Sequence, residues 1–160
     1  MENVNYLRTM WFEPPQKRLA SWREFRQSLR PKDLTETCDD VFMWWKYAPQ
    51  SALSLDPYDV STWPSVWEML HQGDYCKFST AIGMSYTFFY IDGKLKNRIL
   101  RVYDHENSDI YMTALIDERW LLNYNLSEIA DWDAVKDKLD IQESWDCSDV
   151  VEVTKYNLSE

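Results

Sequence analysis

The sequence predicts a single α+β domain, with N-terminal helices and a buried central helix packed on a small antiparallel sheet. Three observations carry that expectation. Residues 75–90 are apolar on most sides (Phe78, Ala81, Ile82, Met84, Phe88, Phe89), the pattern of a helix enclosed by a core. Residues 98–103, 110–116 and 120–124 are rich in β-branched and aromatic side chains, and the short polar turns 104–109 and 117–119 join them into a meander. Before residue 50 the apolar residues recur at three- and four-residue spacing, as helices that cover a sheet require. A length of 160 residues fits one domain with a real core, so 1–160 is taken as one unit.

In order along the chain, Tyr6, Leu7, Met10, Trp11 and Phe12 precede the stop Pro14-Pro15. Residues 1–19 therefore read as a short strand or an N-terminal arm whose aromatics can bind another chain. Trp22, Phe25 and Leu29 share one face of a helix over 20–29, which Pro31 ends. A second helix begins near Lys32 and runs to Tyr47 on Leu34, Cys38, Val41, Phe42 and Trp45, with Asp33 and Glu36 at its electropositive start. Trp63-Pro64 opens a short helix that stops at Gly73, and Asp74 is placed to cap the central helix, which Gly93 terminates. After the meander, Ser127 can cap a short acidic helix with Trp132, Val135 and Leu139 on one face. The alternation of Val151 and Val153 with Glu152 and Thr154 predicts a last strand over 149–156.

Charge and composition narrow the function classes. With 27 acidic against 17 basic residues the formal charge is −10, which disfavours nucleic-acid phosphates and anionic membranes; a partner is expected to be another protein, basic or apolar. Nine Trp, ten Tyr and six Phe suit either a large core or a protein interface. Cys38, Cys76 and Cys147 form no C-x-x-C pair and His71 and His105 are the only imidazoles, so neither a disulfide framework nor a zinc site is expected. A reducing cytoplasm, of a cell or of an infected host, fits that usage, and no apolar run is long enough to span a membrane. Glycine-rich phosphate loops, G-x-S-x-G elbows, H-E-x-x-H helices and D-x-D-x-D-G loops are absent, so no cofactor or metal is expected.

One stretch carries a motif. Trp63-Pro64, Glu68-Met69-Leu70, Gly73-Asp74-Tyr75-Cys76, the hairpin, and Leu121-Leu122-Asn123-Tyr124-Asn125-Leu126 together are similar to the bacterial and phage transglutaminase-like cysteine proteinases, whose core is shared with papain-like enzymes. The resemblance covers residues 63–129. It implies a nucleophile at the start of the central helix, where the helix dipole favours a thiolate, with an imidazole and an acid presented by the adjacent sheet. Counted from Gly73-Asp74, the family's nucleophile position falls on Tyr75, and Cys76 reaches it only with one inserted residue. The family's His falls on Tyr111 and its Asp on Asn123. An Asn can fill the third role, but a phenol of pKa about 10 cannot take a thiol's proton readily at neutral pH.

What the resemblance implies is therefore a degenerate, phage-type member that binds a protein partner, as a virion component or a modulator of a host factor, with Cys76 a buried structural residue. The alternative is a cysteine hydrolase using Cys76, His105 and Asn123 or Asp104, which requires His105 to fold back over roughly 20 Å of extended chain. A third reading takes the acidic stretches 104–109, 117–118, 131–140 and 143–152 as a mimic of a phosphate backbone, against the simpler reading of a solvated acidic face.

Overall fold

The computed structural model describes residues 4–29, 33–51 and 55–157. Helices α1 (Val4–Met10), α2 (Pro15–Ser28), α3 (Leu34–Lys46) and α4 (Val66–Gln72) precede the central helix α5 (Lys77–Ile91). The chain then forms β1 (Asn97–Asp104), β2 (Asp109–Ile116), β3 (Trp120–Leu122), β4 (Ala130–Asp131), α6 (Trp132–Val135), β5 (Leu139–Asp146) and α7 (Cys147–Thr154). All strand pairs are antiparallel, in the spatial order β4-β3-β2-β1-β5. This is the α+β arrangement that the sequence predicts.

The pleat divides the sheet into two faces. Ile99, Met112, Ala114, Ile116 and Leu122 join the main core beneath the helices, whereas Leu100, Val102, Leu115, Leu121 and Leu139 form a smaller cluster covered by Tyr111, Tyr124, Trp132 and Val135. Helix α5 is buried from Ser79 to Phe88, so its polar groups must be satisfied inside the protein. They are. Thr87 Oγ1 accepts the indole N–H groups of Trp22 (3.0 Å) and Trp45 (2.8 Å) and donates to the Gly83 carbonyl. Ser85 donates to Asn97, and the Tyr86 hydroxyl lies within hydrogen-bond distance of Pro64 O and Thr154 Oγ1.

Several elements differ from expectation for identifiable reasons. The first stretch folds as a helix, and Pro15 begins α2 rather than stopping the chain, because a helix start has no use for the missing N–H. Pro31 and Lys32 lie outside the described residues; Asp33 caps α3 by accepting from Glu36 N. The cap of α5 is Cys76, not Asp74, whose carboxylate instead accepts from the Gln72 side chain. Ser127 starts no helix: its N–H closes a turn on Asn125, and the one-turn α6 is capped by Asp131. Leu139 opens β5, and 147–154 is helical because Cys147, Val150, Val151 and Thr154 lie on one helical face, while Val153 is exposed. The expected third strand stops at Leu122, because Asn123 adopts φ 70°.

Candidate functional site

The site is built around the start of α5. Helix α4 ends at Gly73, which takes the left-handed conformation (φ 82°) against the Arg18 guanidinium. Arg18 is buried and donates to three backbone carbonyls, Glu13, Leu70 and His71, so the end of α4 is pinned to α2. Beyond the turn, Tyr75 forms a parallel bridge with Gln50 and its carbonyl accepts from Ser51 N at 3.2 Å. These contacts deliver Cys76 to the N-cap of a 15-residue helix, half-buried, with no hydrogen bond from its side chain to the helix start. Burial, and then the nearby Glu68 and Asp74 charges, push the Tyr75 phenol well above its ordinary value, so it stays protonated.

On the sheet side, Asn123 Nδ2 donates to Lys77 O (3.1 Å) and Met112 O (3.0 Å), tying the first turn of α5 to β2. Cys76 and Asn123 are thus brought to the same end of the helix–sheet layer. Tyr111 is not. It lies on the opposite face, where its ring meets Tyr124 edge-on at 5.2 Å, and the Tyr124 hydroxyl donates to Asp104. The β2 residue that faces the helices beside Asn123 is Met112, 1% exposed. The alternation Met112, Ala114, Ile116 was the sequence signal for this parity, and a count of residues along the motif does not read it.

Among the described residues neither imidazole hydrogen-bonds to the Cys76 thiol. His105 follows β1, four residues past Arg101, the partner of Met112, which is about 13 Å of strand. Its backbone N–H donates to Lys138 O, its Nε2 lies 2.6 Å from Asp140 Oδ2, and its ring packs on Tyr103. That places it against β5, three strands from β3. His71 is exposed near the end of α4, lining a groove with Pro15, Leu19 and Trp67. Asp104 accepts from Glu106 N, Asn107 N, the Asn107 side chain and Tyr124, so it organises the hairpin turn. Cys38 and Cys147 are enclosed in the core; burial is the main cause that raises both thiols, Cys147 to about 12. Among the described residues no group of three His, Cys, Asp or Glu side chains stands together to hold a metal, and no helix is long and apolar enough to cross a membrane.

Comparison with solved structures gives the architecture a relative. Legionella pneumophila LapG superposes with a TM-score of 0.66 at 16% identity, covering 91% of this chain and 85% of LapG. Its EGTA-treated and calcium-bound forms match with the same score and identity, over 83% and 84% of their chains. The chain has a transglutaminase-like fold. At that identity the likeness establishes the fold alone. No protein-family model matches the sequence, and no curated protein matches it.

Within this transglutaminase-like frame many of the acids serve local structure. Asp131 and Asp146 cap helices, Asp140 meets His105, Glu118 pairs with Arg98, and Glu106 pairs with Lys138. Carboxylates held in this way are poor candidates for a mimic of regularly spaced phosphates.

Proposed function

We propose that this chain is a non-catalytic transglutaminase-like domain that acts by binding another protein. One observation carries the reading: the side chain that β2 turns toward the helices, at the level where Asn123 ties β2 to the first turn of α5, is Met112, apolar and 1% exposed. A thioether has no proton-accepting nitrogen, so Cys76 lacks the imidazole that activates a cysteine nucleophile. Exposed apolar groups, Phe12, Tyr58, Leu126 and Tyr156, supply contact surface of the kind enriched at interfaces. The phage-type resemblance of 63–129 supports a partner met in a virion or in an infected cell.

The hydrolase reading draws support from the position of Cys76 at a helix start with Asn123 bonded to the next carbonyl. Alkylation decides between the two. With iodoacetamide at pH 7, Cys76 should react no faster than free N-acetylcysteine, and His71→Ala and His105→Ala should leave its rate unchanged. A rate tenfold or more above the free thiol, lost in either histidine variant, would falsify the binding reading and install a cysteine nucleophile.

A further inference from the structure

We propose that Arg101 anchors a binding site for a single carboxylate carried on an otherwise apolar segment of the partner chain. The inference rests on the protein-binding reading and names the chemistry of the contact. Arg101 belongs to the helix-facing row of β1 with Asn97 and Ile99. Its partner on β2 is Met112, whose carbonyl is held by Asn123 against the first turn of α5. Arg101 therefore stands on the strand at the same end of the helix–sheet layer as Cys76.

Arg101 differs from Arg98 and Arg18 in that no oxygen among the described residues accepts from its guanidinium. Arg98, three residues earlier on the other face, makes a bidentate pair with Glu118 and donates to Ser144. Arg18 donates to three carbonyls. The Arg101 side chain has no ion pair or hydrogen bond among the described residues, and its Nε is buried without an acceptor. Glu143 is its register partner on β5 and shares its face, yet no salt bridge joins them. In a chain with 27 acids against 17 bases, a half-buried guanidinium without a carboxylate calls for a functional explanation.

An aromatic ring shapes the site. The guanidinium carbon lies 4.8 Å from the centroid of Tyr58. The loop that carries Tyr58 is anchored: Tyr58 N–H bonds to Asp56 Oδ1, Trp63 Nε1 donates to Asp56 O, and Trp63 is buried edge-on against Trp145. Tyr58 itself is 69% exposed. An arginine flanked by an aromatic ring is weakly hydrated and pre-organised for the paired oxygens of a carboxylate, and the exposed ring offers an apolar shelf to the chain that carries it. A run of acids would meet the net charge of −10, which acts over a Debye length of about 8 Å at physiological salt, so a single carboxylate fits where an acidic tract does not. A chain terminus and an Asp or Glu side chain both supply that group.

The test is an NMR titration of the full chain, following the Arg101 Nε–Hε and Tyr58 ring signals. The probes are N-acetyl-leucine, N-acetyl-leucinamide, and the N-methylamide of N-acetyl-aspartate. Saturable shifts with N-acetyl-leucine and none with the leucinamide are expected; a response to the aspartate derivative as well assigns the site to carboxylates from either source. Arg101→Gln should weaken binding by at least about tenfold, the loss of a charge-assisted bond, with its circular dichroism and thermal midpoint retained. Equal shifts with acid and amide, or undiminished binding in Arg101→Gln, overturn the site. That failure is separable from failure of the binding reading, which is decided by Cys76 alkylation and is independent of Arg101.

Discussion

Asp104 shows how a single side chain can look like part of an active site and serve the fold. It stands beside His105 in a polar turn, the expected place for an acid that orients an imidazole, yet its carboxylate accepts from two backbone N–H groups, the Asn107 amide and the Tyr124 hydroxyl. Burial, the largest single influence, raises its pKa. The bonds from Tyr124, Asn107 and Glu106 together outweigh that and hold it below the ordinary carboxylate value. A folded pKa below the unfolded value of about 3.9 means the charged form stabilises the native state. That contribution is complete above roughly pH 4 and is lost as pH falls through the lower folded value. Asp104→Asn should therefore lower stability at pH 7, and the gap to the parent chain should close below pH 4. Urea unfolding at pH 7 and pH 3 measures both; an equal gap at the two values would mean the carboxylate charge is not what holds the turn. Tyr124 is fixed by the same carboxylate and in turn fixes Tyr111, so the two tyrosines belong to the far-face cluster and not to the thiol.

Helix α5 is the element on which both the core and the candidate site depend, and its close packing limits what it can accept. A Cβ on Gly83 would lie 2.6–2.8 Å from three ring atoms of Trp45, an indole that is itself tied to Thr87. Alanine gains about 1 kcal/mol in helix propensity, but overpacking against a rigid ring costs about 1–3 kcal/mol, so Gly83→Ala should be neutral to destabilising by up to about 2 kcal/mol. Denaturant midpoints would show it, and a clear stabilisation would mean the Trp45 contact yields easily. The same element explains what could be read from the sequence. Residues 75–90 and the β1–β2 hairpin were legible because long apolar runs and a polar turn between β-rich segments leave few alternatives. Asp117 and Glu118, both at positive φ, close the β2–β3 turn without glycine, and their polarity sufficed to place it. Strand β5 was illegible: it is an edge strand, exposed from Asp140 to Ser144, with Gln142 bulged, and its polar sequence carries no period. In α7 the alternating valines imitated a strand, although Cys147, Val150, Val151 and Thr154 already set a helical face. At the site the motif located the helix start and Asn123, but a shift of one residue on β2 exchanged Met112 for Tyr111, and a pleated strand turns that shift into the opposite face.

At the scale of the whole molecule, the question is whether the N-terminal residues are an arm or part of the fold. Leu7, Met10 and Trp11 are each no more than 3% exposed and belong to the same core as α5 and the sheet. Trp11 donates its indole N–H to Trp44 O at 3.0 Å, and its ring lies 4.8 Å from Trp44 and 5.2 Å from Trp45. Trp45 continues the contact to Thr87, and Thr87 to Trp22, so a chain of indoles joins α1 and α2 to the central helix. Tyr6, on α1, and Phe12, just after it, are exposed, while the inner face of the same segment holds the core. Replacing a buried tryptophan by alanine removes its burial and leaves a cavity, at a cost of about 3–5 kcal/mol. Trp11→Ala should therefore lower the stability of the entire chain by that amount in one cooperative transition, with tryptophan fluorescence and far-ultraviolet circular dichroism giving the same midpoint. Were residues 1–19 an arm, the substitution would leave the global midpoint in place and at most add a small early change in fluorescence.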